Sequence, residues 1–327
     1  MTTPDPIDGL LGQLESTTAL TPERLVILRG LLSRVVNLVD AEGDIDDLRV
    51  AATALDELLV ASTMFSKWRA NNKLAVFGSA RTKPENPLFE LARSFSAAMA
   101  ERGWMTVTGA GPGIMEASAK GAGKGMTLGV NIDLPFEQFA NPYIDAETML
   151  VAMRYFFTRK VAMTRPSNAF AVFPGGLGTM DEVFEVLTLL HTGKTTPAPV
   201  VLLDTADGTF WEQWLTFIDS AVTAGGYIDE PDMALVRICH TVDEAVHEIE
   251  LFYSNYVSFV VKDSRAAIRL RRPPTPEQLG ATEAAAPSMG SIRDFVLQDD
   301  NTMTFAFDGR DYVNLRLLIN HINAWSV

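Results

Sequence analysis

The sequence predicts an α/β protein with a Rossmann-like, doubly wound and mainly parallel sheet. Short apolar runs alternate with amphipathic helical stretches from about residue 73 to residue 253. Glycine-bearing loops follow three of these runs, at residues 78–81, 109–113 and 174–178. Because parallel strands end at the same edge of their sheet, we expect the three loops to meet there and form a binding site.

The composition is typical of a folded, acidic protein. A chain of 327 residues, 47% of them hydrophobic, is long enough for about two domains with a buried core. A net charge of −14 argues against a nucleic-acid partner. The chain begins without a signal region and has no apolar stretch of membrane-spanning length, so we expect a cytoplasmic protein with no membrane partner. The single cysteine, Cys239, excludes an internal disulfide.

Three regions are predicted along the chain. Residues 1–70 form a helical N-terminal extension, because leucines recur at helical spacing after Pro22. Residues 71–256 form the Rossmann-like domain, and residues 257–327 form a small α+β appendage. The strands of the Rossmann-like domain are expected at residues 73–77, 104–108, 126–133, 169–173, 200–203 and 234–239, and its helices at 87–102, from 114, 146–165, from 179, 211–224 and 242–253.

The appendage alternates apolar and polar residues like short strands. Strands are expected at residues 257–261, 267–270, 295–298 and 303–307, and a terminal helix at 311–325. Residues 273–289 are rich in Pro and Ala and predict a linker or loose loop. The one basic cluster, at residues 262–272, favours a strand with exposed arginines or an interface over a nucleic-acid arm.

Two loops need a separate interpretation. The loop at 109–113 follows the second strand, and Ile114 takes the place of the third glycine of a dinucleotide fingerprint, so it predicts a phosphate or mononucleotide cradle instead. The loop at 134–143, which contains Pro135 and Phe136, is expected to cover the end of the sheet, with contact to a purine as the alternative. Residues 155–157 are all aromatic; most are expected in the core, with stacking on a base as the alternative.

The segment P-G-G-L-G-T-M-D-E at residues 174–182 predicts an anion-binding site. Gly175, Gly176 and Gly178 can adopt positive φ and lack a Cβ, so their main-chain N–H groups can approach a ligand closely. We expect Thr179 to open the next helix, whose first N–H groups have no internal partner and whose dipole favours a phosphate.

Glu182 has two interpretations. Thr179 and Glu182 fit a capping box, in which the carboxylate only steadies the start of the helix. Alternatively, the carboxylate faces a part of the ligand other than the phosphate, such as a sugar carbon that gains positive charge. The spacing alone does not decide between the two.

The motif at 174–182 resembles the P-G-G-x-G-T-x-x-E signature of the LOG ("lonely guy") family, nucleoside 5′-monophosphate phosphoribohydrolases often mislabelled lysine decarboxylases. Arg159 and Lys160 are similar to the family's Arg-Lys pair, and residues 109–117 are close to its G-G-G-P-G-I-M-E-A motif. The resemblance covers roughly residues 70–255. It implies a nucleotide substrate and a homodimer or a multiple of one.

The resemblance implies hydrolysis of an N-glycosidic bond, which releases the free base and ribose 5-phosphate. Cleavage passes through an oxocarbenium-like sugar, so Glu182 is the candidate that stabilises the cation and orients or deprotonates water. Arg159 would hold the substrate; Lys160 points roughly 100° away from it on an ideal helix. The candidate substrate-binding residues are Gly78, Ser79, Gly109, Gly111, Lys160, Gly175, Gly176, Gly178, Thr179 and Thr188.

No cofactor or metal is expected, because His191 and His240 lack partners at metal-binding spacing. A lysine decarboxylase would need pyridoxal phosphate bound to a lysine, such as Lys160 or Lys194. The sequence around these lysines has no pattern that predicts a pocket for this cofactor. The stronger alternative is a non-catalytic nucleotide or cofactor carrier on the same fold. Arg159 together with Glu182 separates the hydrolase from the carrier.

Overall fold

The computed structural model describes residues 6–40, 44–134, 140–262, 264–298 and 300–325. The chain divides into two compact units, residues 1–59 and residues 60–327. The first unit contains helices α1 (Pro6–Thr17), α2 (Pro22–Asp40) and most of α3 (Ile45–Ser66), whose end belongs to the second unit. Within the described ranges, no helix combines the length and apolar content needed to cross a membrane.

The second unit is built on a sheet of seven parallel strands in the order β4-β3-β2-β1-β5-β6-β7. The predicted Rossmann-like α/β fold class is confirmed. The strands are β1 (Lys73–Phe77), β2 (Met105–Thr108), β3 (Thr127–Ile132), β4 (Leu150–Met153), β5 (Ala169–Val172), β6 (Val200–Leu203) and β7 (Val236–Cys239). The helices between and after them are α4 (Pro87–Glu101), α5 (Ile114–Ala122), α6 (Phe156–Thr164), α7 (Leu177–His191), α8 (Phe210–Phe217) and α9 (Val242–Phe252).

The strand order reverses direction between the neighbours β1 and β5, and this creates the crevice in which such sheets bind ligands. Main-chain bonds join the loops on both sides of the crevice. Ser79 N donates to the Pro174 carbonyl at 3.2 Å, and Ile114 N donates to the Ser79 carbonyl at 3.1 Å. Gly113 has a φ of +68°, and a Cβ there would lie 2.3 Å from the Ser79 carbonyl oxygen, so this crossing of two loops requires glycine.

The predicted helix at 146–165 is wrong in its first half. Residues Leu150–Met153 form the edge strand β4, which pairs in parallel with β3, and α6 begins only at Phe156. The pairing register sets Gly129 opposite Leu150 and Ile132 opposite Met153. The main-chain groups of β3 thus gain partners along its second edge, which outweighs the helical spacing of the local sequence.

The appendage contains a four-stranded antiparallel sheet in the order β10-β11-β9-β8. Its strands are β8 (Tyr256–Lys262), β9 (Arg265–Leu270), β10 (Arg293–Leu297) and β11 (Thr302–Ala306), and α11 (Tyr312–Ala324) follows them. The predicted linker at 273–289 is wrong, because it contains helix α10 (Pro276–Ala285). Thr275 and Gln278 form a capping box at its start, with Pro276 in the first turn. The domain boundaries at residues 70 and 256 stay predictions.

Helix α11 anchors the appendage to the Rossmann-like sheet. The buried Arg316 guanidinium donates to the Ala198 carbonyl at 3.3 Å and to the Glu248 carboxylate on α9 at 2.8 Å. It also stacks over the Phe252 ring, with 4.7 Å from the guanidinium carbon to the ring centroid. On the same helix, Asn323 donates to the Phe252 carbonyl at 2.5 Å and accepts the main-chain N–H groups at the start of β8. The attachment is therefore hydrogen-bonded as well as apolar.

Candidate functional site

A cleft of about 680 Å³ lies at the carboxyl ends of the parallel strands, within the size range of small-molecule sites. It spans the point where the strand order reverses. The loops after β1, β2 and β5 contribute to its walls, together with the end of β3 and the starts of α6 and α7. Nine predicted site residues line it: Gly78, Ser79, Gly109, Gly111, Arg159, Gly176, Gly178, Thr179 and Glu182.

Arg159 lies in the wall of the cleft, where it is only 8% exposed. Its Nε donates to the Val130 carbonyl on β3 at 3.0 Å, and its Nη1 lies 3.3 Å from Oε1 of Glu182. One edge of the guanidinium is thus fixed by the sheet, and the other faces a carboxylate. A planar, permanently charged group held in this way cannot swing freely into solvent.

Gly109 makes room for this arginine. A Cβ on Gly109 would lie 1.9 Å from Nη2 of Arg159 and 2.8 Å from Sδ of Met115. The sequence suggested that Gly109 contacts the ligand, and it does line the cleft. Gly109 has a second role, because its missing side chain leaves the space that the guanidinium occupies. The local sequence does not predict this role, since the two residues are 50 positions apart.

Ala110 departs from the all-glycine pattern of the related motif, and its φ of +62° lies in the left-handed region that favours glycine. The buried Asn141 compensates for the strained turn. Its side-chain amide donates to the carbonyls of Ala110 at 3.1 Å and Gly111 at 3.2 Å. Asn141 is therefore a supporting residue for this wall of the cleft. Pro135 and Phe136, the other loop residues of interest, lie outside the described residues.

The start of α7 differs from the prediction. The helix begins at Leu177 with Gly176 as its N-cap and no side-chain cap, so Thr179 is the third helical residue and is buried. Of the two interpretations of Glu182, the capping box with Thr179 is therefore wrong. The N-cap Gly176 supplies no side-chain acceptor to the first main-chain N–H groups of the helix, and Gly176, Leu177 and Gly178 line the cleft. This is the arrangement that binds anions.

The three glycines of this loop act differently from the expectation that they use positive φ, since none of them has it. A Cβ on Gly175 would lie 2.2 Å from Oγ1 of Thr179, so Gly175 is required for the packing of the buried threonine. Gly176 and Gly178 face open space within 4 Å, and this leaves the adjacent main chain accessible to a ligand.

Glu182 has an unusual electrostatic environment. Burial raises its pKa to about 7 from an ordinary 4.5, the Arg159 guanidinium opposes this shift, and Asp181 adds to it. The carboxyl group can therefore change its protonation state near neutral pH, as a general acid or base requires. Such a pKa is typical of functional carboxyl groups in clefts.

Three predicted binding residues lie outside the cleft lining. The Nζ of Lys160 pairs with Asp181 at 2.8 Å and with Glu185 at 3.1 Å, both on α7, because it projects from a different side of α6 than Arg159 does. Thr188 is exposed three turns along α7 from the cleft. Gly175 packs against the buried side chain of Thr179 and does not line the cleft. The structure therefore does not bring these three to the ligand space within this chain.

The sequence missed several lining residues. Phe156 and Leu177, at the starts of α6 and α7, are 53% and 90% exposed and form an apolar rim of the cleft. Arg81, which belongs to the loop expected to reach a ligand, also lines the cleft, as does Asn131, for which the sequence had no signal. The aromatic run at 155–157 was the only local signal for this rim. The expectation that most of these residues lie in the core is wrong, because Phe156 and Phe157 are 53% and 52% exposed. No lysine is among the described lining residues, which leaves no candidate for a Schiff base there.

The fold and the site define a Rossmann-like protein with a cleft at the point where the strand order reverses. A protein-family model described as possible lysine decarboxylase matches residues 113–249. A cytokinin riboside 5′-monophosphate phosphoribohydrolase from Mycobacterium marinum (strain ATCC BAA-535 / M) is 31% identical over 172 residues, which are 51% of this chain and 87% of the relative. The chain belongs to the LOG family.

Other relatives match over shorter parts of their length. The protein of the same description from Mycobacterium tuberculosis (strain ATCC 25618 / H37Rv) is 38% identical, with 36% of this chain and 63% of the relative covered. For the LOG protein of Oryza sativa subsp. japonica the identity is 36%, with 33% of this chain and 43% of the relative covered.

Some solved structures match part of the chain at low similarity. A molybdenum cofactor binding protein from Rippkaea orientalis has a TM-score of 0.41 at 21% identity and covers 55% of this chain and 96% of its own. DNA processing protein A from Streptococcus pneumoniae has a TM-score of 0.37 at 13% identity and covers 56% of this chain and 63% of its own. Both TM-scores are too low to support a conclusion about function.

Proposed function

We propose that the protein hydrolyses the N-glycosidic bond of a nucleoside 5′-monophosphate and releases the free base and ribose 5-phosphate. The observation that carries this proposal is that one cleft holds both an ionisable carboxyl group, Glu182, and an uncapped helix start about one turn away. A phosphate anchor and a carboxylate at that spacing suit the two ends of a ribose 5-phosphate unit. Membership of the LOG family supports the same reaction.

Each residue has a role in the proposed mechanism. The main-chain N–H groups at the start of α7 hold the 5′-phosphate. The Glu182 carboxylate stabilises positive charge at the anomeric carbon and orients or deprotonates the attacking water. Arg159, fixed by the Val130 carbonyl, contacts the sugar or the departing base and keeps Glu182 in place. The apolar rim of Phe156 and Leu177 then lies beside the base.

Incubation with AMP, CMP, GMP, UMP and an N6-prenylated AMP, with detection of released base and ribose 5-phosphate, tests the proposal. We expect release of base from at least one purine monophosphate, and no release from the matching nucleoside, which lacks the phosphate. A carrier protein on the same fold would bind nucleotides and leave all of them intact, and that result would reject the hydrolase.

The pKa of Glu182 predicts the pH dependence of this reaction. The proposed role requires the ionised carboxylate, so kcat/KM should rise with pH through a midpoint near 7, where an ordinary glutamate would give a midpoint near 4.5. Initial rates at low substrate concentration from pH 5 to pH 9 measure this. An acid limb that stays near 4.5 would contradict the assignment of Glu182.

The pKa also makes a prediction that needs no substrate. Because the folded-state pKa lies above that of the unfolded chain, the contribution of Glu182 to stability decreases as the pH rises from about 4.5 to about 7. Denaturant unfolding of the wild type and of Glu182→Gln across this range should show the difference between them change in that direction. If the difference in unfolding free energy between the two proteins does not change with pH, the pKa of the Glu182 carboxyl group is not raised in the folded protein.

We also propose that the chain forms a homodimer, as the resemblance implied. Apolar side chains on α6 and α7 support this, because Phe157, Val161 and Phe184 are 52%, 41% and 43% exposed. Such residues next to a cleft are typical of an interface. Sedimentation equilibrium should give twice the chain mass or a multiple of it, and a concentration-independent monomer would contradict the proposal.

A further inference from the structure

Three carboxylates occupy little more than one turn of α7, and two cations on α6 face them. Glu182 is flanked along the helix by Asp181 and Glu185. Like charges at such spacings repel each other and destabilise a helix. Arg159 faces Glu182, while Lys160 faces the other two carboxylates, so the contact between α6 and α7 is a small network of charges.

Lys160 joins the two flanking carboxylates. Its ammonium donates to Oδ1 of Asp181 at 2.8 Å and lies 3.1 Å from Oε2 of Glu185. That oxygen of Glu185 is buried and has no other polar partner among the described residues. The Lys160 side chain is 18% exposed, against 56% for Asp181, so this is a partly desolvated contact in which charge counts for more than at a free surface.

We infer that Lys160 is a positioning residue for Glu182: it binds Asp181 and Glu185, fixes α7 against α6, and shields the Glu182 carboxylate from its two like-charged neighbours. This inference deepens the proposed function, on which it rests, and gives Lys160 a role other than contact with the substrate.

The charged groups around Glu182 support separate roles for Arg159 and Lys160. Arg159 on α6 contacts it directly, Lys160 on α6 and Asp181 and Glu185 on α7 act on it from nearby, and Arg81 also lines the cleft. Attraction to Arg159 and Lys160 lowers the pKa of Glu182, and repulsion from Asp181 and Glu185 raises it. Burial lowers the pKa of Lys160 itself, but its bonds to Asp181 and Glu185 outweigh this, so the net shift is upward and the ammonium stays charged.

The variant Lys160→Met removes the charge and keeps the length of the side chain. We expect the acid limb of kcat/KM to move to higher pH, because the attraction of Lys160 that lowers the pKa of Glu182 is lost while Asp181 and Glu185 still raise it. At pH 6.5 kcat should fall several-fold, while KM for the nucleotide at pH 8.5 changes less than about twofold. A large rise in KM with kcat unchanged would overturn the inference and restore Lys160 as a binding residue.

Two further variants separate positioning from general loss of structure. Lys160→Arg should restore the acid limb, and Lys160→Met combined with Asp181→Asn and Glu185→Gln should move it back toward the wild type, because the repelling charges are gone as well. Arg102→Gln, which breaks an ion pair between α4 and Glu250 on the far surface, is the matched control and should leave the limb in place. A triple variant that titrates like Lys160→Met would contradict the inference.

A measurement without turnover distinguishes failure of the inference from failure of the proposed function. Carbon-detected NMR titration of the Glu182 carboxyl group should show an upward shift of its midpoint in Lys160→Met relative to the wild type. If no nucleotide is hydrolysed but this shift occurs, the hydrolase proposal fails and the positioning role stands. If hydrolysis occurs and the midpoint does not move, the positioning role fails alone.

Discussion

Replacement of Glu182 by glutamine should leave nucleotide binding nearly intact and lower kcat by about 10²–10⁴-fold, the range typical of a lost acid–base or charge-stabilising group. The amide keeps the size of the side chain and one acceptor oxygen for Arg159 but cannot carry negative charge. The proposed phosphate contacts are main-chain groups at the start of α7, which the substitution does not touch. Isothermal titration with nucleotide and single-turnover release of base measure the two effects separately.

The matched control for this variant is Glu250→Gln, a surface carboxylate paired with Arg102 and remote from the cleft. It should hydrolyse at the wild-type rate. If the Glu182→Gln protein turns over as fast as Glu250→Gln, Glu182 is only a structural partner of Arg159. The alternative, a non-catalytic nucleotide or cofactor carrier, would then be favoured.

Replacement of Gly109 by alanine should lower kcat/KM by about 10²-fold while the protein stays folded, since misplacement of a positioned group by about 1 Å carries a loss of that order. The new Cβ would lie 1.9 Å from Nη2 of Arg159, which is the far end of a flexible side chain, so the guanidinium and not the main chain has to move. Its bonds to Val130 and Glu182 are then lost. Kinetics, thermal unfolding and a crystal structure of the variant test each part.

Gly125→Ala is the matched glycine control, because nothing lies within 4 Å of a Cβ there. It should change neither kcat/KM nor the unfolding temperature by a measurable amount. A Gly109→Ala protein with wild-type activity would show that the place of Arg159 is not critical, and this would weaken its proposed role as much as that of Gly109.

The sequence predicted the elements with strong local signals. The apolar strand runs at 73–77 and 200–203 match β1 and β6 residue for residue, since buried parallel strands need continuous apolar segments. Strand β4 was missed because Leu150–Met153 continues into a segment with helical spacing, and only its pairing with β3 makes it a strand. Helix α10 was missed although its capping box was readable, because Pro and Ala in the segment were taken as signs of a linker.

The candidate site, like the fold, was predictable where the local sequence carries a motif. Motif spacing brought out nine residues that do line the cleft, including Arg159 and Glu182. Lys160 could not be placed from the sequence, because its direction depends on where α6 begins and on which side α7 packs. The contact of Arg159 with Gly109 and with Val130 joins residues far apart in the chain, and helical or strand periodicity carries no information about such contacts.

The attachment of α11 bears on how this chain can be shortened. Ending it after α9 would remove the guanidinium that neutralises Glu248 and would uncover the Phe252 ring beneath it. It would also take away the ring of Tyr312, against which Gly193 packs at the end of the helix that carries Glu182. In a Rossmann-like half cut in this way, Glu248 would become a solvated carboxylate at little cost, but the exposed Phe252 ring would have to be replaced by a polar residue to avoid association.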